Sequence, residues 1–564
     1  AWNGHEWSRE LLLTEVGFFA AKPYLVDPAG YQHWPHGPDA GIAVHPDWCR
    51  SANTIYCAFP RQFGATRTQA STANPILADQ LAILDRHGFT VIPPSGTLRD
   101  LRDQIPHIVD RLGCRILHLL PIPPAPTTYA RYGRYGSPYA VQDLIAIDPA
   151  LVVFDKRTTG IDQFHELVDA CHSRDCQVYL DVVLNHTGWG STVQERQPQF
   201  FKRHADGTFH SPGAWGTVWE DLVELDHGHS ELWDVLAEAL LVWCRRGVDG
   251  YRCDAGYMVP LPAWQYIIAR VRQEFPDTVF LLEGLGGAWS LTETLLAEGG
   301  MQWAYSELFQ NYRPQEIAGY LDHLIAHTGR VGTLVHYSET HDNDRLAKRG
   351  RAWSLLRNRL CALLSQQGCF GFTAGVEWLA SEKISVHGCS GLNWDAADGI
   401  VDDLAHLNHL ISDHPCWFDG ATLERISADD AALLLVRRRS ADGSDEVLIA
   451  ANLDLEAPAD LDPLALGLHG AHDLISGSTV PGLLVLEAGV VVCLARSAMP
   501  RGLHGEAYRE ARARAAMGYR LLGKVLSIEQ VGPIAWTILA EHVDRGIDRF
   551  LQAASLNAEA ESAR

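Results

Sequence analysis

Four apolar stretches of this 564-residue chain end in residues that could do chemistry. Val178-Tyr179-Leu180-Asp181-Val182-Val183 leads to Asn185-His186, and Asp249-Gly250-Tyr251-Arg252-Cys253-Asp254 ends in a carboxylate. Phe280-Leu281-Leu282-Glu283-Gly284 and Glu339-Thr340-His341-Asp342-Asn343 do the same. A carboxylate that closes an apolar strand is costly to bury without a partner. Two such groups, one ionised and one protonated, suit a nucleophilic attack coupled to proton donation. Arg252 precedes Asp254 by two positions, so in a strand both side chains share one face. Alone, Arg252 and Asp254 could be a buried ion pair, and His186 a satisfied core histidine. Asp181 is expected to be structural, bonding Arg252 or backbone. With the pattern repeated at four strand ends, a purely structural explanation would have to hold several times independently.

Elements must carry these residues to one place. From Thr54 onward, short buried-looking strands alternate with amphipathic helices. Strands are expected over 54–59, 115–120, 177–183, 250–253, 279–282, 303–308, 333–338 and 369–373, with helices over 98–112, 161–173, 230–244 and 262–274. Eight apolar strands alternating with helices predict an α/β fold, a (β/α)8 TIM barrel spanning 53–415. In such a barrel the C-terminal strand ends converge on one mouth, where function concentrates. Residues 1–52 read as a small N-terminal region, and 187–228 as an inserted loop domain after strand 3 that holds Trp189, Trp215 and Trp219. Alternating strands over 432–437, 446–452 and 490–494 predict a C-terminal antiparallel β-domain at 416–500. Residues 501–564 read as a helical tail broken at Gly532-Pro533, with Leu539, Val543, Ile547, Phe550 and Leu551 on one face. That tail could pack on the barrel, mediate oligomerisation, or contact a further domain.

The formal charge of −23 argues against nucleic acid or an anionic membrane as a partner, because both need a basic surface. No apolar run approaches a membrane span, and no signal sequence is read at residues 11–21. The 12 Cys are scattered without a CxxC pair, which suits a reducing, cytoplasmic setting. No residue cluster is read as a metal site.

The four segments, in their order and spacing, resemble the signature regions of the α-amylase superfamily, glycoside hydrolase family 13. Thr54-Ile55-Tyr56-Cys57-Ala58-Phe59-Pro60-Arg61 is similar to that family's first strand, and Leu119-Leu120-Pro121-Ile122 to its second. Ser137-Pro138-Tyr139-Ala140-Val141-Gln142-Asp143 resembles the loop that supplies a substrate-stacking tyrosine. The resemblance covers roughly 54–410. It implies a retaining enzyme acting on α-glucans, malto-oligosaccharides or a related α-glucoside, with Asp254 as nucleophile and Glu283 as general acid/base. Retaining cleavage asks for carboxyl groups about 5–5.5 Å apart. Asp342 would bind sugar hydroxyls, as would His186 and His341, and Tyr139 would stack beneath the ring. Arg252, Trp189 and Tyr257 complete the expected substrate contacts, with Arg252 lowering the pKa of Asp254. Glu283 needs an apolar or negative setting to keep its proton.

Hydrolysis is the favoured outcome, transglycosylation by the same residues the alternative, and an inactive glucan-binding or scaffolding homologue the alternative of another class. The intact carboxylate pair speaks against the last. Tyr257-Met258 stands where many α-amylases carry Lys-His, which speaks against ordinary endo-cleavage of starch. Gly284 is expected to leave space beside the acid/base. No cofactor is required for this chemistry. The family's structural calcium site is a further possibility, with Asn185 present and Glu224 at its aspartate position.

Overall fold

The computed structural model describes residues 11–553 apart from 38, 128, 215, 481 and 526–533. Trp215 and the Gly532-Pro533 break therefore lie outside the described residues. Eight parallel strands form a closed barrel: β1 (Thr54–Ala58), β2 (Ile116–Leu119), β3 (Gln177–Val183), β4 (Gly250–Asp254), β5 (Val279–Leu282), β6 (Trp303–Tyr305), β7 (Thr333–Tyr337) and β8 (Phe370–Thr373). Each pairs with its neighbours in sequence, and β8 closes on β1 with Phe370 opposite Thr54. All eight strands lie where the apolar runs placed them.

The period-2 alternation of each strand divides the core in two. Side chains pointing inward fill the barrel, among them Ile55, Ile116, Tyr179, Leu281, Trp303 and Val335. Those pointing outward meet the helices in a second apolar layer. Three of the expected helices are found, at Gly160–His172, Ser230–Arg245 and Leu261–Glu274. The fourth, expected over 98–112, is broken into Leu98–Arg102 and a wider-wound turn at Pro106–Arg111. Pro106 has no N–H to continue the helix, and its ring crowds the preceding turn.

The register fixes the mouth. Arg252 lies opposite Asp181, and Cys253 opposite both Val182 and Leu282. The insertion after β3 is anchored by His186–Gly188 pairing with Leu222–Glu224. A six-stranded antiparallel sheet over Thr422–Arg425, Leu433–Arg439, Glu446–Asn452, Val491–Ala495, Ala471–Asp473 and Thr479–Val480 follows the barrel. The N-terminal ribbon Gly17–Ala21/Ala40–Val44 packs beside the helices after β5 and β6. In the tail, helix Gly505–Val525 lies against the barrel, with Arg509 3.0 Å from Asp413 and Arg512 3.4 Å from Asp47. Helix Trp536–Asp544 packs on it through Leu539 and Val543. Among the described residues no helix is long and apolar enough to cross a membrane.

Gly250 tests the interior packing. A Cβ there would sit 2.6 Å from the Tyr179 ring, which is itself stacked on Trp303 at 6.0 Å. Gly250→Ala is expected to cost about 1–3 kcal/mol through overpacking, read as a lower denaturation midpoint. Unchanged stability would contradict this packing.

Candidate active site

The site is built at the C-terminal ends of β3, β4 and β5. Glu283 donates its backbone N–H to Cys253 O at 3.2 Å, which sets it abreast of Asp254 on the next strand. Both carboxylates address one guanidinium. Arg252 Nη1 donates to Asp254 Oδ1 at 2.6 Å and to Asp181 Oδ1 at 3.0 Å, and its Nη2 lies 3.6 Å from Glu283 Oε2. Asp181 is buried as deeply as Arg252, whereas the side chains of Asp254 and Glu283 keep 14% and 12% of their surface towards the mouth. The outer two carboxylates can thus meet a substrate; the inner one cannot.

Three carboxylates share one positive charge, and the pKa values of Asp181 and Asp254 move apart. Burial resists ionisation of Asp181, but the charge of Arg252 and the nearby His118 outweigh it and hold its carboxyl below the usual range. Burial pushes Asp254 well above its ordinary value. Arg252 opposes that shift, while Asp181 and Glu283 add to it. Arg252 thus acts on Asp254 in the expected sense, but burial outweighs it and the net shift is upward. Glu283, abreast of Asp254, is the second carboxyl that a double displacement would use.

Supporting groups fix this cluster. The Tyr139 hydroxyl donates to Asp181 Oδ2 at 2.9 Å and accepts from His341 Nε2 at 2.7 Å, with the two rings parallel at 5.7 Å. His341 Nε2 is also 3.4 Å from Asp342 Oδ2, whose side chain is 58% exposed at the mouth. His186 is buried; its Nδ1 lies 3.5 Å from Asn185 Nδ2, while its Nε2, 3.9 Å from Asp254 Oδ2, has no hydrogen-bond partner among the described residues. Burial lowers its pKa to about 4, so near neutrality it is uncharged. Tyr257 lies close enough to Glu283 and Asp254 that burial and their charges push its hydroxyl up to about 12. Asp254, Glu283, Asp342, Tyr139, His186, His341 and Tyr257 are thus brought together.

Two residues expected at the substrate do other work. Arg252 is enclosed by Asp181, Tyr139 and Tyr305, its Cζ 5.8 and 5.6 Å from the two rings, and reaches substrate only through the carboxylates it holds. Trp189 gives its indole N–H to Glu220 O at 2.9 Å and packs against Tyr129 and Phe209, which ties it to the insertion. Trp219, 6.1 Å from the His186 ring, is the aromatic beside the cluster. Gly284 does not open space next to Glu283: a Cβ there would meet Leu282 and Thr292 at 3.2 Å.

The residues at the calcium position do not fit that ion. Glu224 Oε1 is 2.6 Å from Lys202 Nζ and its Oε2 2.7 Å from His210 Nδ1, while the Asn185 amide faces His186 and Met258. Calcium wants six to eight oxygens, and here an ammonium already occupies the carboxylate. Among the described residues no group of three His, Cys, Asp or Glu could hold a metal.

Ala255 and His118 were not singled out from the sequence. Ala255 adopts φ +44°, a left-handed conformation uncommon outside glycine, and its N–H donates to Glu283 Oε2 at 2.7 Å. The twist aims a backbone donor at the acid/base, and no residue type in the segment signals it. His118 Nδ1 is 3.1 Å from the Tyr337 hydroxyl and its Nε2 3.7 Å from Asp181. Its signal was available: it is the one polar residue in the apolar β2 run.

Residues 57–281 match the family model for the α-amylase catalytic domain. Among curated proteins, the chain is 27% identical over 422 residues to the α-1,4-glucan:maltose-1-phosphate maltosyltransferase of Cereibacter sphaeroides, covering 68% of each. It is 26% identical to the protein of that name from Rhodospirillum rubrum, covering 64% of this chain but 55% of the relative. Among solved structures, an α-amylase from Geobacillus thermoleovorans superposes with TM-score 0.62 at 18% identity, over 79% of this chain and 98% of that one. An α-amylase from Lactobacillus plantarum gives 0.61 at 21%, over 80% and 99%. These likenesses establish the fold.

Acid stability follows from His186. Its folded pKa near 4 lies below the ordinary 6.5, so the unfolded chain takes up the proton first. Stability is expected to fall as pH drops from about 6.5 towards 4, with His414 adding in the same sense. His186→Asn should flatten the slope measured by denaturation across that window. Superimposable slopes would contradict the neutral, buried imidazole.

Proposed function

We propose that this chain, which carries the catalytic domain of the α-amylase superfamily, is a retaining transglycosidase that passes an α-glucosyl or maltosyl unit through a covalent ester on Asp254. The observation that carries this reading is the pair of mouth-facing carboxylates set on one guanidinium. Asp254 Oδ2 has no hydrogen bond among the described residues and is the oxygen available for attack on the anomeric carbon. As the C–O bond to the leaving group breaks, Glu283 gives its proton to the departing oxygen. The ester forms with retention pending, and Glu283, now a carboxylate, takes the proton of an incoming hydroxyl as that oxygen displaces Asp254. Asp342, His186 and His341 surround the place where the sugar would sit. Stacking of Tyr139 beneath it belongs to the same proposal.

Hydrolysis, favoured on sequence grounds, gives way to transfer as the leading reading. The curated relatives above are named as maltosyltransferases, and Trp219 beside His186 and Tyr257 beside the carboxylates would keep water from an incoming acceptor. The donor proposed by that relationship is maltose 1-phosphate and the acceptor an α-1,4-glucan. The fold and the enzyme class do not depend on that choice. A cytoplasmic setting is proposed on the twelve thiols, none in a disulfide.

Incubation of the enzyme with maltose 1-phosphate and maltoheptaose, followed by product chromatography and phosphate release, tests the reading. Chains lengthened by maltosyl units are expected, with retained anomeric configuration. Asp254→Asn is expected to lose about 10⁴-fold or more in kcat, and Glu283→Gln about 10²–10⁴-fold. Free glucose or maltose as the main products would replace transfer by hydrolysis. Wild-type rates in either variant would end the mechanism.

A further inference from the structure

A well-formed cavity lies away from the mouth. It measures about 590 Å³ and lies at the other end of the barrel, between the entries of consecutive strands and the tail helix Gly505–Val525. Asn53, Arg115, Gln177, Asp249 and Asp277 come from the beginnings of β1 to β5. Its size falls within the range of small-molecule sites.

The charges around it do not all cancel. Arg50 is held by Asp47 and Asp419, Arg509 by Asp413 and Glu506, and Arg520 lies 3.6 Å from Asp277. Asp249 is bonded to His172. Arg115 is different. Its guanidinium has no hydrogen bond or ion pair among the described residues, although it is half-buried. Burial and the neighbouring charge of Arg509 both work against it, lowering its pKa. Arg512 also faces the cavity, with a buried Nε that has no acceptor. Arg115 at a strand entry and Arg512 on the tail helix thus line the cavity from its two sides, each with unused donors that suit an oxyanion between them. The other lining is of another kind: the Asp175 carboxylate, which has no hydrogen-bond or ion-pair partner among the described residues, and the ring of Trp48. Carboxylates accept from hydroxyl groups, and flat rings pack against the apolar faces of sugars.

We infer that this cavity is a second ligand site, taking a phosphorylated sugar, with Arg115 and Arg512 on the phosphate and Asp175 on sugar hydroxyls. It joins the strand entries to the tail helix, so an occupant clamps that helix to the barrel. The inference stands apart from the reaction assigned to the mouth.

Hydrogen exchange of the full chain in the Asp254→Asn background, which prevents turnover, locates binding. Millimolar glucose 1-phosphate is expected to protect residues 505–525 and 175–177, with inorganic phosphate at least tenfold weaker and maltose without effect there. Arg115→Gln is expected to weaken that protection tenfold or more while leaving glucan turnover, measured with Asp254 intact, unchanged. Ala516→Phe, which fills the cavity without removing a charge, should abolish the protection and keeps the test open should Arg115→Gln fold poorly. No protection of these segments, equal affinity for inorganic phosphate, or full protection in the Ala516→Phe variant would overturn the site.

Discussion

One buried guanidinium serves three carboxylates, and the rest of the mouth is arranged around that shortage of positive charge. Arg252 makes its bonds to Asp181 and Asp254 and stands close to Glu283. Three negative groups around one positive group, out of water, would repel at a cost no local hydrogen bond offsets. Asp181, deepest and best supplied with donors, is held below the usual carboxylate range. The upward shift falls on Asp254, which faces the mouth. That division follows from burial and from where Arg252 spends its donors.

The barrel makes that sharing possible. Closure of eight strands holds Arg252 opposite Asp181 and sets Glu283 beside Asp254, without a loop in between to loosen the geometry. A ring of aromatic and imidazole groups then locks the buried end: Tyr139 and His118 on Asp181, and Tyr305 beneath Arg252. The loop after β7 is held from behind. Glu339 is buried and accepts from Arg345, from the Leu346 N–H and from Thr373, leaving His341 and Asp342 to face the mouth. Of two acidic residues three positions apart, one builds the loop and the other is presented by it.

Much of this was legible because the signals are periodic or chemical. Apolar runs ending in Asp181, Asp254 and Glu283 located both the strands and the site, since period-2 burial and costly terminal carboxylates leave a plain trace. What escaped depends on three-dimensional crowding. Gly284 looks like open space in a sequence, but Leu282 and Thr292 fill it. Arg252 looks like a ligand for substrate until Tyr139 and Tyr305 are seen to enclose it. Trp189 has the right residue type, yet Tyr129 and Phe209 decide where its ring lies. The left-handed Ala255 is a backbone event without a residue signature. Three of the four expected helices are found, and the one broken by Pro106 shows a strong period yielding to a missing N–H.

The upward shift of Asp254 is most directly tested by the acid limb of the kcat/KM pH profile in wild type and Asp181→Asn. The amide keeps the size of the side chain and an oxygen for Arg252, but removes a negative charge that raises the Asp254 pKa. With the guanidinium charge no longer divided, the limb is expected to move to lower pH by about one unit or more. A limb that stays in place, or moves to higher pH, would contradict the sharing of one charge among three carboxylates.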